Sequence, residues 1–186
     1  MTPEHYTNYS PLAVTLRDGR SAWVRPVAPD DLEALMTFYA EIPREDLRFY
    51  YPHPMTHEYA SRNTERALSP LCVALVLTLP DGRIVGYSSY EWADMGDAYS
   101  LFGLCIAREC QGVGAGRLLM EHLLTFARQY GPPVMALTVQ LANTRAVSLY
   151  RSMGFQVMRE QMVAHDSSLD FADEPEYYME CNVRDQ

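Results

Sequence analysis

Leu104-Cys105-Ile106-Ala107-Arg108-Glu109-Cys110-Gln111-Gly112-Val113-Gly114-Ala115-Gly116-Arg117-Leu118-Leu119 runs from an apolar strand, through three glycines, into an amphipathic helix. Glycines remove the side chains that would hold an anion away from the backbone. The first turn of the following helix adds unpaired N–H groups and a partial positive charge. A phosphate or pyrophosphate suits that environment, with Arg117 or Arg108 available for a charge-assisted contact. The spacing separates known kinds of phosphate binder. A dinucleotide fingerprint needs glycine where Arg117 stands, and a P-loop needs Gly-Lys-Ser/Thr, which a chain without lysine cannot supply. A glycine-rich strand-to-helix turn with no ligand is the alternative reading.

Working outward, the pattern is of strands and helices intermingled. Upstream of the turn, Ala98 to Ala107 reads as a strand, preceded by Leu71 to Leu79 and Ile84 to Trp92 joined through Pro80-Asp81-Gly82-Arg83. Before them, Leu12 to Arg17 and Ser21 to Val27 flank Asp18-Gly19, a hairpin signal because both residues tolerate positive φ. Asp30 is placed to cap a helix with Leu32, Leu35, Met36 and Tyr39 at helical spacing. Pro43 to Pro54 reads as helix-then-loop, and Thr56 to Leu68 as a further helix. Downstream, Leu118, Leu119, His122, Leu123 and Phe126 mark a long helix stopped by Gly131-Pro132-Pro133. A strand at Val134 to Val139, a helix at Asn143 to Met153 capped by Gly154, and strands at Phe155 to Ala164 and Tyr177 to Val183 complete the chain. An acidic loop, His165 to Glu176, separates the last two strands. Residues 1–186 read as one α/β domain, with 1–27 as an N-terminal hairpin and arm.

Composition narrows the function. Acidic residues outnumber basic ones, 24 against 15, for a net charge of −9, which argues against nucleic acid or an anionic membrane as partner. All the basic residues are arginine, which a GC-rich genome explains. No apolar run approaches the roughly 20 residues that span a bilayer, and the N-terminus lacks a signal-peptide pattern, so a cytoplasmic location is expected. Cys72, Cys105, Cys110 and Cys181 are scattered with no CxxC, which reads as reduced thiols. His53-Pro54-Met55-Thr56-His57 has two histidines at helical spacing, but Pro54 breaks the helix that would align them, so no metal site is expected.

Taken together these residues resemble the GNAT superfamily of acetyl-coenzyme A-dependent N-acetyltransferases. Gln111 is spaced to Gly114 and Gly116 as in the family's Gln/Arg-x-x-Gly-x-Gly/Ala pattern. Downstream, Asn143, Ala146, Leu149, Tyr150 and Gly154-Phe155 are similar to a second family element. The stretch from Arg25-Pro26-Val27 to Leu47-Arg48-Phe49-Tyr50 is similar to GNAT domains of bacterial protein lysine acetyltransferases. The resemblance implies a mixed, mostly antiparallel sheet, splayed at the cofactor site, with helices on both faces. It implies acetyl-CoA as cosubstrate and a primary amine of a small molecule or protein as acceptor, with a homodimer as a family habit. Backbone groups of Leu104, Cys105 and Ile106 would meet the pantetheine arm or the oxyanion. Amides of Gln111, Gly112, Val113, Gly114, Ala115, Gly116 and Arg117 would hold the pyrophosphate. Asn143 would touch the cofactor, and Tyr150 would protonate the leaving thiolate. By position alone Asn143 is equally a helix N-cap, and Tyr150 reads first as a core aromatic until the surrounding pattern reverses that order.

The chain departs from the family at one point. The strand before the glycine turn, Tyr99 to Ile106, carries no acidic residue to act as general base. Glu91 on the neighbouring strand ranks first as a substitute, ahead of Asp94, Asp97, His165 and Asp166. Phe49-Tyr50-Tyr51 with Tyr87, Tyr90 and Trp92 would line an acceptor cleft or fill the core. The acidic residues Asp166, Asp170, Asp173, Glu174 and Glu176 would attract a cationic acceptor or form a solvated surface. Two other functional classes remain on the sequence: a non-catalytic acyl-CoA sensor, and an interaction domain with no use for the glycine spacing.

Overall fold

A computed structural model describes residues 10–50, 55–67, 69, 71–94, 98–163 and 171–184. Eight strands form a single sheet: β1 (Leu12–Thr15), β2 (Ser21–Pro26), β3 (Cys72–Thr78), β4 (Ile84–Glu91), β5 (Tyr99–Ile106), β6 (Val134–Gln140), β7 (Gln156–Val163) and β8 (Glu174–Asn182). Their order across the sheet is β1-β2-β3-β4-β5-β6-β8-β7. All neighbours are antiparallel except β5 and β6. The expected mixed, mostly antiparallel architecture is observed.

The helices are α1 (Leu32–Ala40), α2 (Arg44–Leu47), α3 (His57–Arg66), α4 (Ala115–Tyr130) and α5 (Thr144–Ser152). They cover both faces of the sheet because the central strands are apolar on both sides: every residue of β3 is buried. On one face α4 buries Leu119, Met120, Leu123 and Leu124 against Leu75, Leu77 and Tyr90. On the other, Leu35, Phe38 and Tyr39 of α1 and Ala60 of α3 pack over Ala74, Val76, Tyr87 and Cys105. Asn63 of α3 donates to the Tyr39 hydroxyl at 2.8 Å, which satisfies a buried polar pair between the two helices.

Several local expectations shift. The carboxylate that organises the start of α1 belongs to Asp31, not Asp30. Asp31 accepts the Ala28 N–H at 2.8 Å and takes both arms of the Arg25 guanidinium at 2.6 and 2.7 Å. Gly131 ends α4 with φ −90, not left-handed. Its lack of a side chain serves packing instead, since an added Cβ would overlap the Tyr90 hydroxyl and the adjoining ring edge. Glu174, Pro175 and Glu176, read as the end of an acidic loop, form the first turnless stretch of β8, paired with β6 and β7. Tyr51, His53, Pro54, Asp97, His165, Asp166 and Asp170 lie outside the described residues.

Candidate active site

The parallel pairing of β5 with β6 is short: Tyr99↔Val134, Ser100↔Met135 and Leu101↔Ala136, and nothing beyond. Past Leu101 the two strands separate and open a cleft of about 1270 Å³ through the sheet. Ala107 N–H bonds Val85 on β4 at 2.9 Å. Alternation along the strand therefore turns the backbone of Gly103 and Cys105 toward β4, and that of Leu104 and Ile106 toward the gap. The gap is thus a ladder with one side missing, and buried backbone groups require partners. Gln111 Nε2 supplies one by donating to the Ile106 carbonyl at 3.1 Å. Cys105 reaches the cleft through its side chain, its backbone being committed to β4.

The glycine turn closes the cleft at the C-terminal end of β5. Gly112 and Gly114 have φ of +80 and +92, a region that side chains disfavour, and Gly114 is the residue from which α4 starts. Gly116 does a different job. A Cβ there would meet Leu104 at 3.4 Å and Leu149 at 3.5 Å, so its absence lets α4 sit close to β5 and α5. Gln111, Gly112, Gly114, Gly116, Arg117, Asn143 and Tyr150 all line the cleft with Leu104, Cys105 and Ile106. Val113 and Ala115 do not: Ala115 is in the core and Val113 packs against it. Asn143 is the N-cap of α5, its Oδ1 accepting the Ala146 N–H at 3.2 Å.

The arginines around the turn are mostly engaged. Arg108 is held by Glu45 at 2.9 Å and Asp46 at 2.7 Å. Arg117 donates to Ser152 at 2.6 Å, and Arg145 to Gln111 Oε1 at 3.1 Å. Arg17 is different, and no sequence signal pointed to it. The β1–β2 hairpin carries it to the turn, where its backbone N–H bonds the Val113 carbonyl at 2.9 Å. Its side chain lies against Gly114, within 3.4 Å of where a Cβ would be, and lines the cleft. No ion pair among the described residues includes it.

At the vertex of the split stands an aromatic trio. Tyr150, 7% exposed, packs edge-on against Phe102 at 5.9 Å and tilted against Phe155 at 5.9 Å. Burial raises its phenol above the ordinary value, with the neighbouring Cys105 adding to the effect, so the proton is held firmly. Burial likewise pushes the Cys105 thiol up to about 12, which removes it as a nucleophile at neutral pH.

The far half of the cleft is walled by the segment following α2. Arg48 grips Glu174 of β8, one arm at 2.7 Å, and its carbonyl accepts from Gln140 Nε2 at 3.0 Å. Phe49 and Tyr50 follow and line the cleft with Thr138, Gln140 and Glu176. Glu91 does not line it. That carboxylate pairs with Arg66 of α3 and faces a small separate hollow shared with Tyr50, Cys72 and Tyr87. Asp94 does not line the cleft either. Tyr87 packs in the core under α1 and α3, whereas Tyr90 and Trp92 belong to the core under α4. Among the described residues no three potential ligands converge on a metal position, and no helix is long and apolar enough to cross a membrane.

Comparison with known proteins agrees with this architecture. The model of the acetyltransferase (GNAT) family matches residues 35–155, more than half of the chain. Streptothricin acetyltransferase of Streptomyces lavendulae is 32% identical over 75 residues, which are 40% of this chain and 40% of that protein. The ribosomal protein bS18-alanine N-acetyltransferase of Escherichia coli K12 is 36% identical over 59 residues, 32% of this chain and 40% of that one. The chain thus spans well under half the length of these curated relatives. Among solved structures, the GNAT domain of S. lividans PAT superposes with a TM-score of 0.77 at 24% identity, covering 97% of this chain and 98% of that one. The spermidine N-acetyltransferase of Vibrio cholerae, solved with CoA and spermine, gives a TM-score of 0.70 at 17% identity, covering 86% and 94%. A split sheet with a glycine turn at its mouth and a match across most of its elements place this chain in the GNAT acetyltransferase family.

Proposed function

We propose that this protein transfers an acetyl group from acetyl-CoA to a primary amine. The observation that carries the reading is the convergence, in one cleft, of an unpaired strand edge, a positive-φ glycine turn and a buried phenol. Each suits one part of the cofactor. The pantetheine arm carries amides that can complete the open ladder at Leu104 and Ile106, as an added strand does. The pyrophosphate suits the amides between Gln111 and Arg117, with Arg17 as counter-charge. On this reading the thioester lies toward the vertex, where the Ile106 or Leu104 N–H would stabilise an oxyanion and Tyr150 would protonate the departing sulfur.

The amine side is the half of the cleft walled by Phe49, Tyr50, Thr138, Gln140 and Glu176. Relatives named for streptothricin, an alanine of ribosomal protein bS18 and spermidine set a first panel of acceptors. Calorimetry with acetyl-CoA tests the cofactor half, comparing wild type with Gly114→Trp, whose side chain fills the turn. Binding lost in a folded variant supports the site. Absence of binding by well-folded wild type overturns the reading. A non-catalytic acyl-CoA sensor is the competing reading, and turnover on the acceptor panel separates the two.

A further inference from the structure

We propose that Glu176 is the general base of the reaction, taking the proton from the acceptor's ammonium group. This rests on the transferase reading. It starts from a gap in the chemistry: at neutral pH an aliphatic amine, with a pKa near roughly 10.4, is almost wholly protonated and cannot attack a thioester. The acceptor face of β5 offers no help. Leu101, Gly103 and Cys105 alternate along it, and the Cys105 thiol is held protonated.

The sheet register brings a carboxylate to that face from the opposite wall. Leu101 pairs with Ala136, so Thr138 and Gln140 project to the same side as Gly103 and Cys105. Gln140 pairs with Glu176, which carries the face onto β8. Glu176 is 5% exposed and still lines the cleft. The Gln161 amide of β7 donates to its Oε1 at 2.8 Å and fixes its orientation. The other carboxylates lining the cleft or bordering its far wall are engaged: Asp46 by Arg108, and Glu174 by Arg48. No ion pair among the described residues includes Glu176. Its neighbours are Glu174 and Tyr178 on its own strand, Gln140 across on β6 and Gln161 across on β7, whose Oε1 accepts from Arg159 at 2.9 Å; Arg48, committed to Glu174, and Tyr50 line the same cleft. A buried carboxylate that opens onto a cleft with no ion-pair partner among the described residues is an unusual expense for a fold, and an incoming ammonium ion supplies a counter-charge.

The proton accounting closes. Glu176 takes one proton from the ammonium and later releases it to water. The neutral nitrogen attacks the thioester carbon, and the tetrahedral adduct forms with its oxygen negative and its nitrogen positive. As the C–S bond breaks, the carbonyl re-forms and Tyr150 gives its proton to the sulfur. The phenolate then recovers a proton from the new amide nitrogen. One amide and one free thiol result, with one net proton released.

The test compares wild type, Glu176→Gln and Glu176→Asp with spermidine and with a weakly basic amine already neutral at the assay pH. Gln retains an oxygen for Gln161, so the fold is expected to survive, and acetyl-CoA affinity by calorimetry is expected to stay within twofold or so. At neutral pH, kcat/KM for spermidine falls by about 10²-fold or more in the Gln variant, the usual scale for a lost general base. The deficit shrinks as pH rises, because the neutral amine fraction grows about tenfold per pH unit below its pKa. It is small for the weakly basic amine, and Asp restores part of the rate. Loss of equal size at every pH and for both amines, or loss of acetyl-CoA binding with the rate, overturns the assignment in favour of a structural role. Wild-type binding without turnover on either amine refutes the transferase reading itself.

Discussion

Replacing Tyr150 by phenylalanine removes one oxygen from the vertex of the split and leaves almost everything else. The ring keeps its contacts with Phe102 and Phe155, both at 5.9 Å between centroids, so the stability change is expected to be below about 1.5 kcal/mol, as for near-isosteric core swaps. Acetyl-CoA affinity is expected to be unchanged, since the phenol acts on the leaving group. The rate is another matter. Burial makes Tyr150 a weaker acid than tyrosine in water, which on its own would make it a poor proton donor to a thiolate. The same surroundings act on thiols, however. Cys105, close enough for its charge to be felt by Tyr150, is pushed from 9.0 up to about 12. A cofactor thiolate departing into similarly buried surroundings would be made more basic in the same sense, which favours proton transfer from the phenol. A matched general acid is worth roughly 10²–10⁴ in rate, or about 3–5 kcal/mol of barrier. Steady-state kcat with saturating acetyl-CoA is therefore expected to drop by at least about 10² in Tyr150→Phe, with the melting curve and the binding isotherm preserved. A folded variant that binds acetyl-CoA and turns over within threefold or so of wild type would refute the general-acid role and leave Tyr150 as a packing residue.

Three further outcomes follow from other parts of the molecule. Arg17→Gln is expected to weaken acetyl-CoA binding about fivefold at low salt, since an exposed contact near 4 Å in water is worth roughly 1 kcal/mol. The effect should fade at high salt and be absent for S-acetylpantetheine, which lacks the pyrophosphate; calorimetry with both ligands checks it, and equal loss for the two refutes it. Gly131→Ala is expected to destabilise by about 1–3 kcal/mol, because the new methyl meets the buried Tyr90 ring, itself anchored by a 3.0 Å bond to the Pro132 carbonyl. An unchanged melting temperature contradicts that packing. Finally, stability should fall on the alkaline side. Folding raises Cys72 to about 11 and Cys105 and Tyr39 to about 12, so the folded state keeps protons that the unfolded chain releases above its ordinary values of 9.0 and 10.0. Each group removes about 1.4 kcal/mol per pH unit between its unfolded and folded values, and denaturant titrations from about pH 8 to about pH 11 measure the sum.

The elements that local chemistry governs were legible in the sequence. Asp18-Gly19 and Asp81-Gly82 announced their hairpins, and Gln111 to Gly116 announced the strand-to-helix turn, because positive φ at Gly19, Gly82, Gly112 and Gly114 leaves a glycine signature. Asn143 read as either a cap or a cofactor contact, and it is a cap that also lines the cleft. What escaped was set by register and long-range approach. Nothing local shows that Arg17 reaches a turn about a hundred residues later through one backbone bond to Val113. Glu174 and Glu176 looked like loop residues because charge and proline dominate Asp173-Glu174-Pro175-Glu176. They are strand residues because β6 and β7 pair with them on both sides. Glu91 ranked first as base on proximity along the sheet. Its tie to Arg66 and its place outside the cleft depend on where α3 packs, which no spacing encodes.

The position of the acceptor-side charge follows from how β5 is built. Its acceptor face carries Gly103 midway, and a Cβ there would lie 3.7 Å from the Tyr50 ring and 3.5 Å from the Ser89 hydroxyl. Both are ordinary van der Waals distances, so a Cβ would fit, and a side chain extending beyond it would do so beside the Tyr50 ring and the Ser89 hydroxyl. Leu101, Gly103 and Cys105 give this face of β5 no charge, so a strand charge at the open half of the cleft comes from β6 or from the strand beyond. β6 contributes Thr138 and Gln140, and Gln140 is spent holding the Arg48 carbonyl. That leaves β8, whose register with β6 puts Glu176 on the required face. An uncharged β5 face and a buried carboxylate on β8 thus belong to one arrangement, with Tyr50 beside Gly103 on one wall and Glu176 on the other.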